Sequence, residues 1–252
     1  MKILNVKHIF LLVCLSISNE VFSSALPENI SELVDSSAPA VVNITAKKEV
    51  SQRQSFGYGG IPDEMLERFG IPRQYREMPQ QKREATSYGS GFILKDNYIM
   101  TNFHVVEDAT EVIISLSDRR EFIAEVVGVD PLSDLAVLEV SDDDLPTVNV
   151  GNSDELRVGD WVIAIGNPFG FGGTVTSGII SARNRSLGLS RYEDYIQTDA
   201  SINSGNSGGP LFDMNGDVIG INTAILGRSG SIGIGFSIPS NSADRVIKQL
   251  IE

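Results

Sequence analysis

A serine framed by glycines is the first group in this sequence that could do chemistry. Ser207 lies in the stretch Gly205-Asn206-Ser207-Gly208-Gly209-Pro210. Glycine permits positive φ angles and presents no side chain where a ligand must approach the backbone. A hydroxyl in such a loop, with the N–H groups of Gly205 and Ser207 beside it, could attack a carbonyl carbon and have the resulting oxyanion stabilised. A glycine-rich hairpin loop with an incidental serine is the alternative, and these six residues alone do not separate the two.

Residues 1–25 have the pattern of a secretory signal peptide. Two lysines precede a short apolar run, which small residues follow in a cleavage pattern. The apolar run is too short to span a bilayer comfortably, so we expect no stable membrane insertion. Removing this leader would take away the only cysteine, Cys14, together with His8. The mature chain would then lack the ligands for a zinc site of the His/Cys type, and we expect no metal and no other cofactor.

His104 would be the one histidine left to serve as the base that a serine nucleophile needs. An imidazole is the usual base at neutral pH. His104 lies in Thr101-Asn102-Phe103-His104-Val105-Val106, just after a predicted strand. A histidine satisfied within the core is the alternative for such an apolar context. Its uniqueness in the mature chain favours the catalytic interpretation.

Asp134 is the acid that we expect to orient this base. It directly precedes the apolar strand predicted from Leu135, where a carboxylate can be partly buried and still keep its hydrogen bonds. Asp130 precedes a proline and is typical of a turn, and Asp199 is expected to order its own loop.

The order of histidine, aspartate and serine along the chain is that of chymotrypsin-like proteases. The serine loop also matches Gly-x-Ser-x-Gly, the nucleophile elbow of α/β-hydrolases, but that fold requires a histidine after the serine. The subtilisin order requires an acid before the histidine. Asp96 could serve there, but no helical scaffold accompanies it.

The elements that must position these residues are predicted to be short β-strands in two halves. The halves cover residues of about 38–150 and about 159–239, and a helix follows over 241–252. Short strands at hairpin spacing predict an all-β protein built from paired barrels. Residues 47–87 are polar, lack apolar periodicity and are predicted to form a long inserted loop. The net charge of −13 argues against binding to nucleic acid.

Six motifs together resemble the HtrA/Deg family of exported serine proteases. They are Thr101–Val106, Ser133–Leu138, Gly166–Gly170, Gln197–Ala200, Gly205–Pro210 and Gly233–Phe236. The resemblance runs from about Pro27 to the end of the chain. It implies two six-stranded antiparallel β-barrels of the chymotrypsin-like fold, a long inserted loop, a C-terminal helix and an active site between the barrels.

The resemblance also implies a role for each residue of the site. His104 would be the general base, Asp134 would orient it and Ser207 would attack the substrate. The N–H groups of Gly205 and Ser207 would form the oxyanion hole. Arg185 would belong to a regulatory sensor loop.

Substrate recognition is implied in the same way. Ile202 would line the primary pocket and favour small aliphatic side chains such as Val or Ala. The strand that includes Asn222, Thr223 and Ala224 would pair with an extended substrate. Residues 47–87 would reach toward other subunits of a homotrimer or a larger homo-oligomer.

The function expected from these residues is periplasmic serine endopeptidase activity on unfolded or misfolded proteins, by way of an acyl-enzyme. A non-catalytic chaperone on the same scaffold and another serine hydrolase, such as an esterase, are the alternatives. Members of the family usually continue into one or two PDZ domains. Because this chain stops at Glu252, we expect residues 26–252 to be a protease domain without a PDZ domain.

Overall fold

The computed structural model describes residues 30–52, 81–142, 144–167, 173–188, 193–203, 205–225 and 232–251. Ser31–Glu252 form one compact unit. The predicted signal peptide and the middle of the predicted long loop, residues 53–80, lie outside the described residues. Within the described residues, no helix combines the length and the apolar character needed to cross a membrane.

The first barrel is closed by six antiparallel strands in the order β1-β2-β3-β6-β5-β4. Helix α1 (Ile30–Ser37) precedes it, and the single-turn helix α2 (Phe103–Val106) lies between β3 and β4. Apolar side chains from all the strands fill its interior, as the alternating pattern requires. The strands are β1 (Val41–Gln52), β2 (Gln81–Ile93), β3 (Tyr98–Thr101), β4 (Ala109–Ser115), β5 (Glu121–Asp130) and β6 (Leu135–Glu139).

The second barrel is also a ring of six antiparallel strands, in the order β11-β8-β9-β10-β13-β12, closed by pairing between β11 and β12. The short strand β7 pairs in parallel with β12 and adds a seventh strand to this sheet. The strands are β7 (Asn149–Val150), β8 (Trp161–Gly166), β9 (Thr174–Arg185), β10 (Tyr195–Thr198), β11 (Pro210–Phe212), β12 (Asp217–Ile225) and β13 (Gly235–Pro239), and helix α3 (Ser240–Ile251) ends the chain.

The two barrels confirm the predicted fold class, but three local predictions need correction. The loop predicted over 47–87 begins later and ends earlier, because β1 and β2 pair in register from Lys47 with Thr86 out to Gln52 with Gln81. An antiparallel pair satisfies its backbone groups whatever its side chains are, so polar composition does not prevent it. The sequence also predicts a short strand over residues 147–150 in the first half, but the structure has β7 there, which pairs with the second barrel, and β11 lies where the sequence predicts no strand.

The segment that connects the barrels is hydrogen-bonded to both of them. The Val148 N–H donates to the Ile93 carbonyl at 3.0 Å in the first barrel. The Gly151 N–H donates to the Val218 carbonyl at 2.9 Å in the second. The Ser240 hydroxyl, at the start of α3, donates to the Gly151 carbonyl at 2.8 Å. The connection is therefore attached along its length.

Two isoleucines of the first barrel provide a matched test of this core. Ile114 is fully buried, whereas the side chain of Ile123 on the neighbouring strand is 72% exposed. We expect Ile114→Ala to lower the free energy of unfolding by about 2–5 kcal/mol, because it removes buried apolar contacts and leaves a cavity. Ile123→Ala should change it by less than about 0.5 kcal/mol. Chemical denaturation of both variants checks this, and equal losses would contradict the assignment of the barrel interior.

Candidate active site

Asp134 occupies a strained position immediately before β6. Its φ angle is 56°, in the left-handed region that residues other than glycine rarely adopt. Two hydrogen bonds to its carbonyl hold it there, one from the Phe103 N–H at 3.2 Å and one from the Asn102 side-chain amide at 2.9 Å. Such strain costs about 1–3 kcal/mol and persists only where the surroundings impose it. The strained turn therefore fixes Asp134 against the segment that leads into α2.

His104, in α2, meets Asp134 through both its backbone and its ring. Its N–H donates to Asp134 Oδ1 at 3.0 Å, and its Nδ1 lies 2.8 Å from Oδ2 and 3.0 Å from Oδ1. A carboxylate only accepts hydrogen bonds, so Nδ1 carries the ring proton and Nε2 keeps its lone pair. This is the tautomer that a general base requires, and it brings together two residues that the sequence predicted as partners.

Thr223 adds a contact to Asp134 from the second barrel. Its hydroxyl donates to Asp134 Oδ2 at 2.5 Å. Burial opposes ionisation of Asp134, but the hydrogen bond and charge of His104, together with the Thr223 hydroxyl, hold the pKa of Asp134 below its ordinary value. The sequence predicted Thr223 as a substrate-binding residue, and the structure places its side chain on the acid. Asp134 is thus kept as an anion by groups from both barrels.

The two other acids considered from the sequence have local roles. Asp130 accepts hydrogen bonds from the Leu132 N–H and the Ser133 hydroxyl, as expected for a turn residue. Asp199, which was expected to order its own loop, instead accepts a hydrogen bond from the Ile179 N–H at 2.7 Å and so binds the backbone of β9. Neither carboxylate contacts His104 among the described residues.

The serine loop packs directly against the residues that precede His104. Gly208 has a φ angle of 82°, and a Cβ atom there would lie 2.3 Å from both the Ser90 carbonyl oxygen and the Thr101 hydroxyl. Only glycine fits this position. The Gly208 N–H donates to the Asn222 carbonyl at 2.7 Å, and the Asn222 N–H donates to the Gly209 carbonyl at 2.9 Å. These contacts fix the serine loop against β2, β3 and β12.

Gly89, in β2, shows how close the serine and histidine segments come. A Cβ atom on Gly89 would lie 2.7 Å from both methyl groups of Val105, the residue after His104, and 3.3 Å from the Ser207 carbonyl oxygen. No hydrogen bond joins the Ser207 hydroxyl to the His104 ring in the part of the chain that the structure describes. Catalytic hydrogen bonds are often long in proteases without substrate and shorten when substrate binds.

Two backbone N–H groups in the Ser207 turn have no hydrogen-bond acceptor within the described part of the chain. Within the described residues, neither the Gly205 N–H nor the Ser207 N–H donates a hydrogen bond to the protein. Gly205 has a φ angle of 112°, which its lack of a side chain permits. Unpaired donors in a turn that flanks a serine hydroxyl are what an oxyanion hole requires.

The predicted substrate-binding residues lie along β12 and beside it. The Asn222 side chain is fully buried, where it donates to the Pro210 carbonyl and accepts from the Ser237 hydroxyl, so it supports the serine loop. Ala224 pairs with Phe236 of β13. Ile202 is 1% exposed and packs closely on Gly235, where a Cβ atom would lie 2.4 Å from Ile202 Cγ1.

One edge of β12 is open beyond Asn222. β12 pairs with β13 as far as Ile225, but its pairing with β11 ends at Ile221. Among the described residues, the backbone from Thr223 to Ile225 therefore has a strand partner on one side only.

Arg185, predicted to regulate the site, lies at the end of β9 and away from the residues above. Its Nε donates to the Gln197 side chain at 2.9 Å, on the neighbouring strand β10. β10 leads through Asp199 toward Ile202 and the serine loop. Its regulatory role stays a prediction.

The support that Asn102 and Thr223 give to Asp134 was not predicted. The contacts join residues 32 and 89 positions apart, and no local pattern marks either residue. Within the described residues, no group of three or more His, Cys, Asp or Glu side chains is placed to hold a metal ion.

Comparison with known proteins relates this geometry to a family. The family model of the trypsin-like peptidase domain matches residues 89–221, more than half of the 252-residue chain. A probable periplasmic serine endoprotease, DegP-like, of Pseudomonas fulva (strain 12-X) is 51% identical over 235 residues, which are 86% of this chain and 48% of that protein. A protein of the same description from Bartonella henselae (strain ATCC 49882 / DSM 28221 / CCUG 30454 / Houston 1) is 44% identical over 255 residues, covering 93% of this chain and 51% of the relative. The chain thus spans about half the length of these curated relatives.

Solved structures give the same result for the fold. The HtrA-type protease AlgW with tripeptide has a TM-score of 0.71 and 44% identity, and the match covers 87% of this chain and 62% of that chain. The HtrA-type protease AlgW with decapeptide has a TM-score of 0.70 and 44% identity, covering 87% and 66%. With its barrels, its family model and its relatives in agreement, the chain belongs to the family of trypsin-like peptidase domains, in which its relatives are HtrA-type and DegP-like proteases.

Proposed function

We propose that this chain is the protease domain of a serine endopeptidase that cleaves unfolded polypeptides through an acyl-enzyme. The observation that carries the proposal is the pairing of His104 with Asp134, close to a serine beside which two backbone N–H groups donate no hydrogen bond within the described residues. The relatives named as serine endoproteases support it.

The reaction follows from the positions of these groups. The Ser207 hydroxyl attacks the scissile carbonyl carbon and passes its proton to His104 Nε2, while Asp134 stabilises the imidazolium that forms. The oxyanion accepts hydrogen bonds from the N–H groups of Gly205 and Ser207. His104 then gives the proton to the leaving amine, and the C–N bond breaks to leave Ser207 acylated. A water molecule, deprotonated by His104, releases the acyl group and restores the hydroxyl.

The open edge of β12 supports extended polypeptide as the substrate. A peptide can add to this edge as a further strand through main-chain hydrogen bonds that do not depend on sequence. Such pairing requires an extended segment, which unfolded and misfolded proteins supply. The aliphatic side chain of Ile202 favours cleavage after small aliphatic residues.

Two features of the proposal come from the resemblance and the relatives rather than from the site. The relatives are described as periplasmic, which supports export to the periplasm. The resemblance supports assembly as a homotrimer or a larger homo-oligomer. Sedimentation of the purified protein tests the assembly, and a monomer at every concentration would contradict it.

Removing the nucleophile tests the function directly. We expect Ser207→Ala to lower the rate of cleavage of a denatured protein by about 10⁶-fold, because no other group can form the acyl-enzyme. Ser115→Ala removes a serine hydroxyl that donates to Glu121 at 3.2 Å on the first barrel, and it should cleave like the wild type. A fluorophosphonate should label Ser207 alone, and the new termini should follow Val or Ala. A label on another residue would contradict the assignment, and hydrolysis of small esters without proteolysis would identify an esterase.

The pH dependence of cleavage distinguishes the role of His104 from that of Asp134. The pKa of Asp134 lies below its ordinary value, so Asp134 stays ionised as the pH falls from neutral toward weakly acidic. Loss of activity over this range therefore cannot come from neutralisation of Asp134, whereas a general base that has taken up a proton can no longer accept one. We expect kcat/KM to be strongly reduced at about pH 4.5, with circular dichroism as the check that the fold persists. Undiminished cleavage there would exclude His104 as the base.

Thr223 should affect the rate through Asp134. We expect Thr223→Val to lower kcat/KM by about 10-fold, because a hydrogen bond from a hydroxyl to a charged group is lost while the side-chain volume is kept. Thr223→Ser retains the hydroxyl and should recover most of the activity. The measurement is hydrolysis of a peptide substrate by all three proteins, and equal rates for Val and Ser would show that the contact has no part in catalysis.

A further inference from the structure

Ser90 is a fully buried residue of β2 whose polar atoms bind the serine loop, Thr101 and Asn167. Its N–H donates to the Ser207 carbonyl at 2.9 Å, and its carbonyl accepts from the Thr101 hydroxyl at 2.7 Å. Its hydroxyl accepts from the Asn167 N–H at 2.8 Å and donates to the Gly205 carbonyl at 2.6 Å. Ser90 thus connects the first barrel to both ends of the turn that carries the nucleophile.

The direction of the Ser90 hydroxyl is determined by its partners. A serine hydroxyl has one proton to donate and two lone pairs to accept with. The Asn167 N–H is itself a donor and therefore occupies a lone pair. The proton of Ser90 points at the Gly205 carbonyl, which can only accept.

The bond from Ser90 holds the peptide unit that lies between the two candidate oxyanion donors. The carbonyl of the Gly205–Asn206 peptide accepts from Ser90, and its N–H donates to the Asn203 carbonyl at 3.1 Å. A planar peptide held at both ends cannot rotate. Only the φ and ψ angles of Gly205 then separate this fixed unit from the Gly205 N–H. Because glycine has no side chain to restrain these angles, the neighbouring contacts must do so.

The Ser207 N–H, the second candidate oxyanion donor, is oriented by a contact that does not involve the Ser90 hydroxyl. The Asn206 carbonyl accepts from the Gly209 N–H at 3.1 Å. In a trans peptide the carbonyl and the N–H point in opposite directions, so this bond turns the Ser207 N–H away from Gly209. The Ser90 hydroxyl therefore acts on the Gly205 donor in particular.

Glycines around Ser90 show that the space is fitted to a small hydroxyl-bearing side chain. A Cβ atom on Gly166 would lie 3.1 Å from Ser90 Oγ, and one on Gly209 would lie 3.2 Å from Ser90 Cβ. Side chains on these glycines would crowd the hydroxyl or displace it. The backbone of the serine loop approaches β2 closely because none is present.

We propose that Ser90 is a positioning residue of the oxyanion hole, whose hydroxyl holds the Gly205 carbonyl and thereby directs the Gly205 N–H at the substrate oxyanion. This inference rests on the proposed function of Ser207 as the nucleophile. Ser90 donates no hydrogen bond to His104 or Asp134 and is buried beneath the loop. Loss of its hydroxyl weakens an interaction made in the transition state and leaves substrate binding in place.

Ser90→Ala tests the proposal against Ser240→Ala. Ser240 is a matched control, because its buried hydroxyl also donates to a backbone carbonyl, that of Gly151 at 2.8 Å, but at the start of α3. We expect Ser90→Ala to lower kcat by about 10–100-fold, a part of the loss that follows removal of an oxyanion donor. KM and the pH dependence should be unchanged, and affinity for a peptide boronic acid should fall by the same factor as kcat. Ser240→Ala should have wild-type kinetics and a comparable change in Tm.

Ser90→Cys is the second variant, because a thiol is a weaker donor than a hydroxyl. Its kcat should lie between those of the wild type and Ser90→Ala. Kinetics of Ser90→Ala that equal those of Ser240→Ala, or a raised KM with unchanged kcat, would overturn the proposal.

The amide NMR signals of Gly205 and Asn206 decide the case without catalysis. They should shift in Ser90→Ala and stay in place in Ser240→Ala. Signals that do not move in Ser90→Ala would overturn the positioning role. A wild-type protein that neither cleaves nor takes a fluorophosphonate would instead overturn the proposed function, and the amide signals would still test the role of Ser90.

Discussion

The arrangement of the site depends on keeping one carboxylate ionised between two barrels. Asp134 belongs to the first barrel, and its charge is stabilised by His104 from the same barrel and by Thr223 from the second. Desolvation alone would favour the neutral acid. Because the stabilising groups come from both barrels, the lowered pKa of Asp134 depends on contacts from both of them. The pKa of Asp134 is therefore set by tertiary contacts as well as by its neighbours in the first barrel.

The backbone conformations at Asp134 and Gly208 also depend on contacts between segments that are distant in sequence. Asp134 has a positive φ angle, and hydrogen bonds from Asn102 and Phe103 to its carbonyl stabilise that conformation. Gly208 brings the serine loop within contact of Ser90 and Thr101, where no side chain would fit. Each of these local costs is offset by hydrogen bonds between segments that are distant in sequence. The site is therefore a product of the complete domain rather than of any one loop.

Sequence alone was sufficient for features that are encoded locally. Strand alternation predicted two β-barrels, and residue type and position predicted the pair of His104 and Asp134 that the structure brings together. The partnership of this pair with Ser207 stays a prediction. The contacts of Asn102 and Thr223 with Asp134 could not be predicted, since they depend on which strands meet across the cleft. The parallel pairing of β7 and the length of the β1–β2 ladder were not predicted, for a related reason. Register is set by pairing between strands, and polar side chains carry little information about it.

The hydrogen-bonded segment between the barrels bears on whether the protease or its substrate changes conformation on binding. Because this segment is bonded to both barrels and to α3, the two halves are not free lobes on a flexible hinge. These bonds oppose movement of one barrel relative to the other, so under the proposed function a substrate must arrive with its backbone already extended. Under the proposed function, the susceptibility of a client protein follows the fraction of time that it spends locally unfolded. The rigidity of the domain would then make it a sensor of instability in other proteins.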